Sequence, residues 1–172
     1  HNLDASVRGT DDAWTLPETL AAREGPLGYL SLGSLASGDV ELMQGMIDRP
    51  ALFVEAMAHG KQLLHSILDC PKPVIAKING PAIGLGATIA LFCDLIVAAN
   101  HAKIADPHVR VGLVAGDGGA AIWPQLVGYA RAKEYLLLGD TLTGEQAASI
   151  GLINRAVPAE DLDRVVDEIA QR

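Results

Sequence analysis

The sequence predicts an α/β fold, and three observations lead there. The 172 residues suffice for one domain with a sizeable core. Some 49% of them are apolar, which excludes disorder as the general state. From about residue 50 onward, short β-branched runs alternate with segments of helical period, the arrangement that builds α/β domains. Aromatic residues make up only 4%, so the core is drawn from Ala, Leu, Val and Ile. The 18 glycines imply close backbone packing and tight turns.

The elements follow in order. The first 40 residues mix polar, Gly and Ser positions with no sustained period and read as loop-rich, or as part of a longer natural chain. Leu52, Phe53, Ala56, Met57, Leu63, Leu64, Ile67 and Leu68 recur at three- and four-residue steps, as on one helix face. "KPVIAKING" is a β-branched run opened by Pro73 and closed by Gly80, a buried strand. "LGATIALFCD" reads as a helix starting near Leu85, and "LIVAAN" and "AKIAD" as two short strands. "AAIWPQLVG" and "ARAKEYLLLG" read as helices ended by Gly128 and Gly139. Thr143 and Gln146 stand at capping-box spacing ahead of a short helix that Gly151 stops. "INRAVP" is a strand, and 159–172 a final amphipathic helix.

Charge and composition narrow the partners. A net charge of −8 argues against nucleic acid and anionic membrane. The longest uncharged stretch, 78–93, holds Asn, Pro and three Gly and is shorter than the roughly 20 residues of a membrane span. Cys70 and Cys93 show neither metal-ligand spacing nor a disulfide framework. The start carries no leader pattern, so a reduced, cytoplasmic setting is the expectation.

Two stretches carry candidate chemistry. In "INGPAIGLGATIALFCD" a Gly-rich turn runs into a helix, leaving unpartnered backbone N–H groups at its start. Such a turn can bind a phosphate, stabilise an oxyanion, or simply pack tightly. Gly84 and Gly86 would let a ligand approach the backbone. It lacks the Gly-Lys-Ser/Thr ending of a P-loop and does not fit the dinucleotide fingerprint. In "DPHVRVGLVAGDGG", His108 and Asp117 interrupt a small, apolar run. His108 is either a general acid/base or a hydrogen-bonded loop histidine. Asp117 either orients it or caps the helix beginning near Gly118.

The ordered set "KPVIAKINGPAIGLG", "CDLIVAA", "VGLVAGDGG", "LLLGD" and "IGLINRAVP" resembles the crotonase (enoyl-CoA hydratase/isomerase) superfamily. The resemblance runs over about 39–161, or 36–161 with the small-residue loop "LASGDVELM" included, and leaves 1–35 poorly matched. It implies one domain over 1–172 with the crotonase-like ββα superhelix, abbreviated at both ends. It also implies an acyl-CoA substrate whose enolate oxyanion is held by two backbone N–H groups, falling here on Ala36 and Leu85. Gly84, Gly86, Thr88 and Gly116 would line the substrate site. No separate cofactor or metal is implied, since coenzyme A arrives as part of the substrate. The usual assembly is a homotrimer or hexamer.

Departures from the family pattern shape the functional expectation. The two hydratase glutamates map onto Thr88 and His108, so the carboxylate pair is absent. His108 with Asp117 is similar to the pair in the superfamily's retro-Claisen carbon–carbon bond hydrolases, which carry a further histidine where Leu85 or Gly86 stands here. "SLGSLA" has no basic residue to pack on adenine, and the segment before it is shorter than in relatives. The leading expectation is an enoyl-CoA hydratase/isomerase-type enzyme with His108 as acid/base and Asp117 as its orienter. The alternatives are a hydrolase of a β-diketone-type substrate and a degenerate acyl-CoA-binding subunit. Lys103, Arg110, Arg131 and Lys133 are candidates to meet the nucleotide; His59 and His65 receive no chemistry. Trp123 is expected in the core or at a subunit contact, and Asp94 in a local pairing.

Overall fold

The computed structural model describes residues 4–6, 29–32 and 50–172, with side chains from residue 58 on. Two sheets organise the chain. The larger runs in the order β1-β2-β3-β5-β8, from β1 (Asp4–Ser6), β2 (Tyr29–Leu32), β3 (Ile75–Ile78), β5 (Leu95–Ala99) and β8 (Arg155–Val157). β1 pairs antiparallel with β2, and the other neighbours are parallel. The smaller sheet joins β4 (Ala82–Ile83), β6 (Lys103–Ala105) and β7 (Leu142–Thr143). β1 and β2 correct the expectation of a loop-rich start: strands of three and four residues, paired with partners distant in sequence, leave no period to read.

Strands covered on both faces are mostly apolar: β3 is buried at every position, with Lys77 its one charged residue, and β5 is buried after Leu95. Small side chains allow close layers. The helix α4 (Gly144–Ser149) seats Gly144 directly on the carbonyl of Ala99, where a side chain would collide. This is one use of the Ala- and Gly-rich composition. Thr143 Oγ1 accepts from Gln146 N at 3.1 Å while Gln146 Oε1 accepts from Thr143 N at 2.8 Å, which completes the expected capping box.

The helix α1 (Pro50–Leu68) places Leu64 and Ile67 in the core but leaves Leu68 exposed. The short helix α2 is Leu85–Leu91, buried from Gly86 onward. The long helix α3 (Gly119–Leu138) breaks at Gly128, whose φ of 77° and ψ of 161° are non-helical, and ends on left-handed Gly139. The two expected helices are thus both present, divided at Gly128 and closed at Gly139. Trp123 is fully buried beside Tyr135, ring centroids 5.8 Å apart. The final segment begins as a 3-10 turn and continues as α5 (Leu162–Ala170), pinned to β3 by an ion pair from Lys77 Nζ to Asp163 Oδ1 at 2.5 Å. No helix among the described residues is long and apolar enough to cross a membrane.

Candidate active site

The site forms where β4 and β6 end side by side. Their register sets Ile83 opposite Ala105, and Gly84 N donates to Ala105 O at 2.9 Å. Beyond that bond the two strands diverge into the two stretches singled out above. After β4, Gly84 turns the chain with a φ of 57° and ψ of −122°, a conformation natural only to glycine, and α2 begins. Its first turn closes with Thr88 N donating to Gly84 O at 3.0 Å. The amides of Leu85, Gly86 and Ala87 precede that bond and have no acceptor within the helix. Gly86 is buried, while the Leu85 side chain is 36% exposed.

After β6, Asp106 and Pro107 lead into a 3-10 turn, His108–Val111, that stops at left-handed Gly112. The chain then returns through exposed Gly116 to Asp117 and enters α3. This return is tight. A side chain at Gly118, whose φ is 126°, would lie 2.8 Å from Thr88 Cγ2 and 2.9 Å from Phe92 Cε2. Glycine there lets the loop lie against α2, which brings Asp117 over the helix.

His108, Asp117 and Thr88 converge. The His108 side chain is 13% exposed, too buried for an ordinary loop histidine. Its Nε2 lies 3.6 Å from Asp117 Oδ2, longer than a hydrogen bond, so neither atom is tied up by the other. Asp117 Oδ1 accepts from the Thr88 hydroxyl and from Gly119 N, each at 3.2 Å. The N-cap of α3 is Gly118, not Asp117, but the carboxylate one residue ahead still takes the first helical amide, and the same bonds leave Oδ2 facing the imidazole. Oδ2 has no hydrogen-bond partner among the described residues. The ring also faces Gly84: a side chain there would approach His108 Cε1 at 3.6 Å.

The group holding Nδ1 is Asp106, not Asp117. Its Oδ1 makes a short bond to His108 Nδ1 and also accepts from His108 N at 3.4 Å. Pro107 fixes φ between them, so a carboxylate two residues ahead folds back onto the ring. Asp106 thus takes the Nδ1 side of the ring, and Asp117 stands across it on the Nε2 side. From the sequence Asp106 reads only as the tail of a strand; the available signal was the local Asp-Pro-His order. Asp106 is 2% exposed, and its Oδ2 packs on Gly119, where any side chain would strike it.

The electrostatics follow from this arrangement. The hydrogen bond to Asp106 raises the His108 pKa above its ordinary value, helped by the charges of Asp106 and Asp117 and opposed by burial. Burial pushes the Asp117 pKa up, partly offset by His108. Asp106, His108 and Asp117 each offer a ligand atom within 4.8 Å of the others. The carboxylates address opposite nitrogens of one rigid ring, however, so a single ion cannot engage all three.

Other sequence candidates are dispersed. Ala36 lies outside the described residues. Arg110 pairs loosely with Asp140 at 3.7 Å on the surface, and Arg131 donates to Ile150 O at 3.3 Å. Asp94 Oδ2 accepts from Val74 N at 2.7 Å, the expected local pairing. His59 and His65 are exposed on α1. The Cys93 thiol donates to Ile89 O at 3.4 Å and is pushed up to about 12 by burial, which makes it inert at neutral pH.

Known proteins share this sequence and fold. The family model described as enoyl-CoA hydratase/isomerase matches residues 37–172. A crotonyl-CoA hydratase of Syntrophomonas wolfei is 38% identical over 138 residues, covering 80% of this chain and 52% of the relative. The 1,2-epoxyphenylacetyl-CoA isomerase of Escherichia coli K12 is 38% identical over 109 residues, 63% of this chain and 42% of its own. The crystal structure of an enoyl-CoA hydratase/isomerase from Cupriavidus metallidurans superposes with a TM-score of 0.72 at 31% identity, over 83% of this chain and 56% of that one. The chain spans about half the length of the curated relatives it matches. With the architecture, the ordered motifs and these matches agreeing, the chain belongs to the enoyl-CoA hydratase/isomerase family and has the crotonase fold.

Proposed function

We propose that this chain acts on an acyl-CoA thioester by moving a proton beside the carbonyl. It does so as an enoyl-CoA isomerase-type enzyme with His108 and Asp117 in place of the two hydratase glutamates. One observation carries the reading: His108 Nε2 and Asp117 Oδ2 face each other at 3.6 Å, unbonded, beside Gly84 at the start of α2. Thr88 occupies the position of one hydratase glutamate. It supplies no carboxylate, but its hydroxyl holds one belonging to Asp117.

The chemistry balances without a further reactant. His108 Nε2 takes a proton from the carbon next to the thioester of a 3-enoyl group. The C–H electron pair moves into the dienolate, with charge on the thioester oxygen. The amides of Leu85 and Ala36 hold that oxygen; losing one such donor typically costs about 3–4 kcal/mol. A proton returns to the γ-carbon from the imidazolium, or from Asp117 with the imidazolium then reprotonating Asp117, and the double bond moves into conjugation. Burial raises the Asp117 pKa above the ordinary carboxylate value. Gly84, which carries no side chain beside the His108 ring, leaves the acyl group access to the backbone there. Coenzyme A enters with the substrate, so no separate cofactor is needed. Exposed Tyr129, Leu137 and Leu138 on α3 support self-association as a homotrimer or hexamer, which sedimentation checks.

The test is conversion of a 3-enoyl-CoA to its conjugated isomer, followed by the rise in ultraviolet absorbance. The protein is expected to convert it, and His108→Gln and Asp117→Asn each to slow it by about 10²-fold or more. Undiminished activity in His108→Gln overturns the reading. Cleavage of a β-diketone without CoA makes the protein a hydrolase instead, and CoA binding without any turnover makes it a binding subunit.

A further inference from the structure

We propose that Asp106 is a positioning residue for His108, holding Nδ1 inward so that Nε2 is the nitrogen presented beside Gly84. The inference rests on the proposed proton-transfer role of His108. It adds a residue that neither the family pattern nor the sequence reading assigned.

Three observations converge on Asp106. It is 2% exposed at the end of β6, where an unpaired carboxylate would be costly, and the imidazole is its side-chain partner. It grips both ends of the same residue, taking the His108 ring Nδ1 and the His108 amide on one oxygen. Its other oxygen is seated on Gly119 by a contact that tolerates no side chain. Gly119 N meanwhile donates to Asp117, so one glycine locates both carboxylates. A carboxylate on Nδ1 fixes the proton there and leaves the Nε2 lone pair free to accept one. It also stabilises the imidazolium once the proton has moved.

A purely structural role is the competing account, since the Asp106 bond to His108 N also starts the 3-10 turn. The two accounts diverge on the ionisation of the ring. The charged groups facing the ring among the described residues are Asp106 from β6 and Asp117 from the turn before α3. Arg110 and Asp140 pair with each other at the surface beyond. Asp106→Asn keeps an acceptor for Nδ1–H but removes the charge. Its expected effect is a fall in kcat of at least about 10-fold with KM within about twofold, and a shift of the His108-dependent limb of the pH profile to lower pH. Histidine-labelled protein observed by NMR is expected to show the same downward shift directly.

Unchanged kcat and unchanged His108 titration in Asp106→Asn overturn the proposal. Should that variant not fold, the wild-type ring decides. Its NMR spectrum must show the Nδ1–H tautomer, and an Nε2–H tautomer overturns the proposal. Failure of the underlying reading looks different. His108→Gln would then keep full activity while Asp106→Asn still shifted the titration of the ring, which overturns the catalytic use of the contact.

Discussion

Asp117 divides its two oxygens between hydrogen bonds that fix its loop and the imidazole of His108. Oδ1 is consumed by Thr88 and Gly119 N, and Oδ2 is left facing His108. His108 and Asp117 were legible in the sequence because they interrupt an apolar, Gly-rich run. Asp106 was not, since a carboxylate at the end of a strand is commonplace and only the fold-back across Pro107 gives it a role. The cluster has a consequence for stability. A folded-state pKa raised above its unfolded value means the native protein binds more protons, so stability falls as pH rises through that range. For His108 the contribution is fully present below about pH 6.5 and is lost as pH climbs through the raised folded value. Urea midpoints measured between pH 6 and 9 are expected to decline in the wild type. His108→Gln should lose the part of that decline that begins near the ordinary imidazole value. An identical pH dependence in both proteins would show that the ring gains nothing from its carboxylates.

Elements with a strong local signal were readable, and those made by distant partners were not. The capping box of α4, the buried run of β3 and the break of α3 at Gly128 are all encoded within a few residues. β4 and β7 are two residues each and exist because β6 pairs with both, so no window of sequence announces them. The approach of the loop before α3 to α2 is likewise a tertiary fact, written only as a glycine. Gly118 tests it. Alanine there meets an unfavourable φ and the Thr88, Phe92 and Leu64 side chains together. A loss of about 3 kcal/mol is expected by denaturant titration. The loss should be accompanied by reduced turnover, because Asp117 is displaced with the loop. A Gly118→Ala protein of unchanged stability and activity would contradict the close contact.

At the scale of the whole molecule, two sheets of parallel and antiparallel strands bring a glycine turn and an imidazole to the same edge. The α/β class and the family were legible from the order of motifs. The division into two sheets was not, because it depends on which strands pair. Tyr129, Leu137 and Leu138 of α3 are exposed, while Trp123 on the same helix is fully buried. The central claim is that His108 removes a proton from the carbon beside a thioester carbonyl. Deuterium exchange at that carbon, measured by mass spectrometry of an acyl-CoA incubated with the protein in D2O, reads this step without requiring any particular product. The wild type is expected to exchange, and His108→Gln to slow that exchange by about 10²-fold or more. Exchange at the wild-type rate in His108→Gln would contradict it.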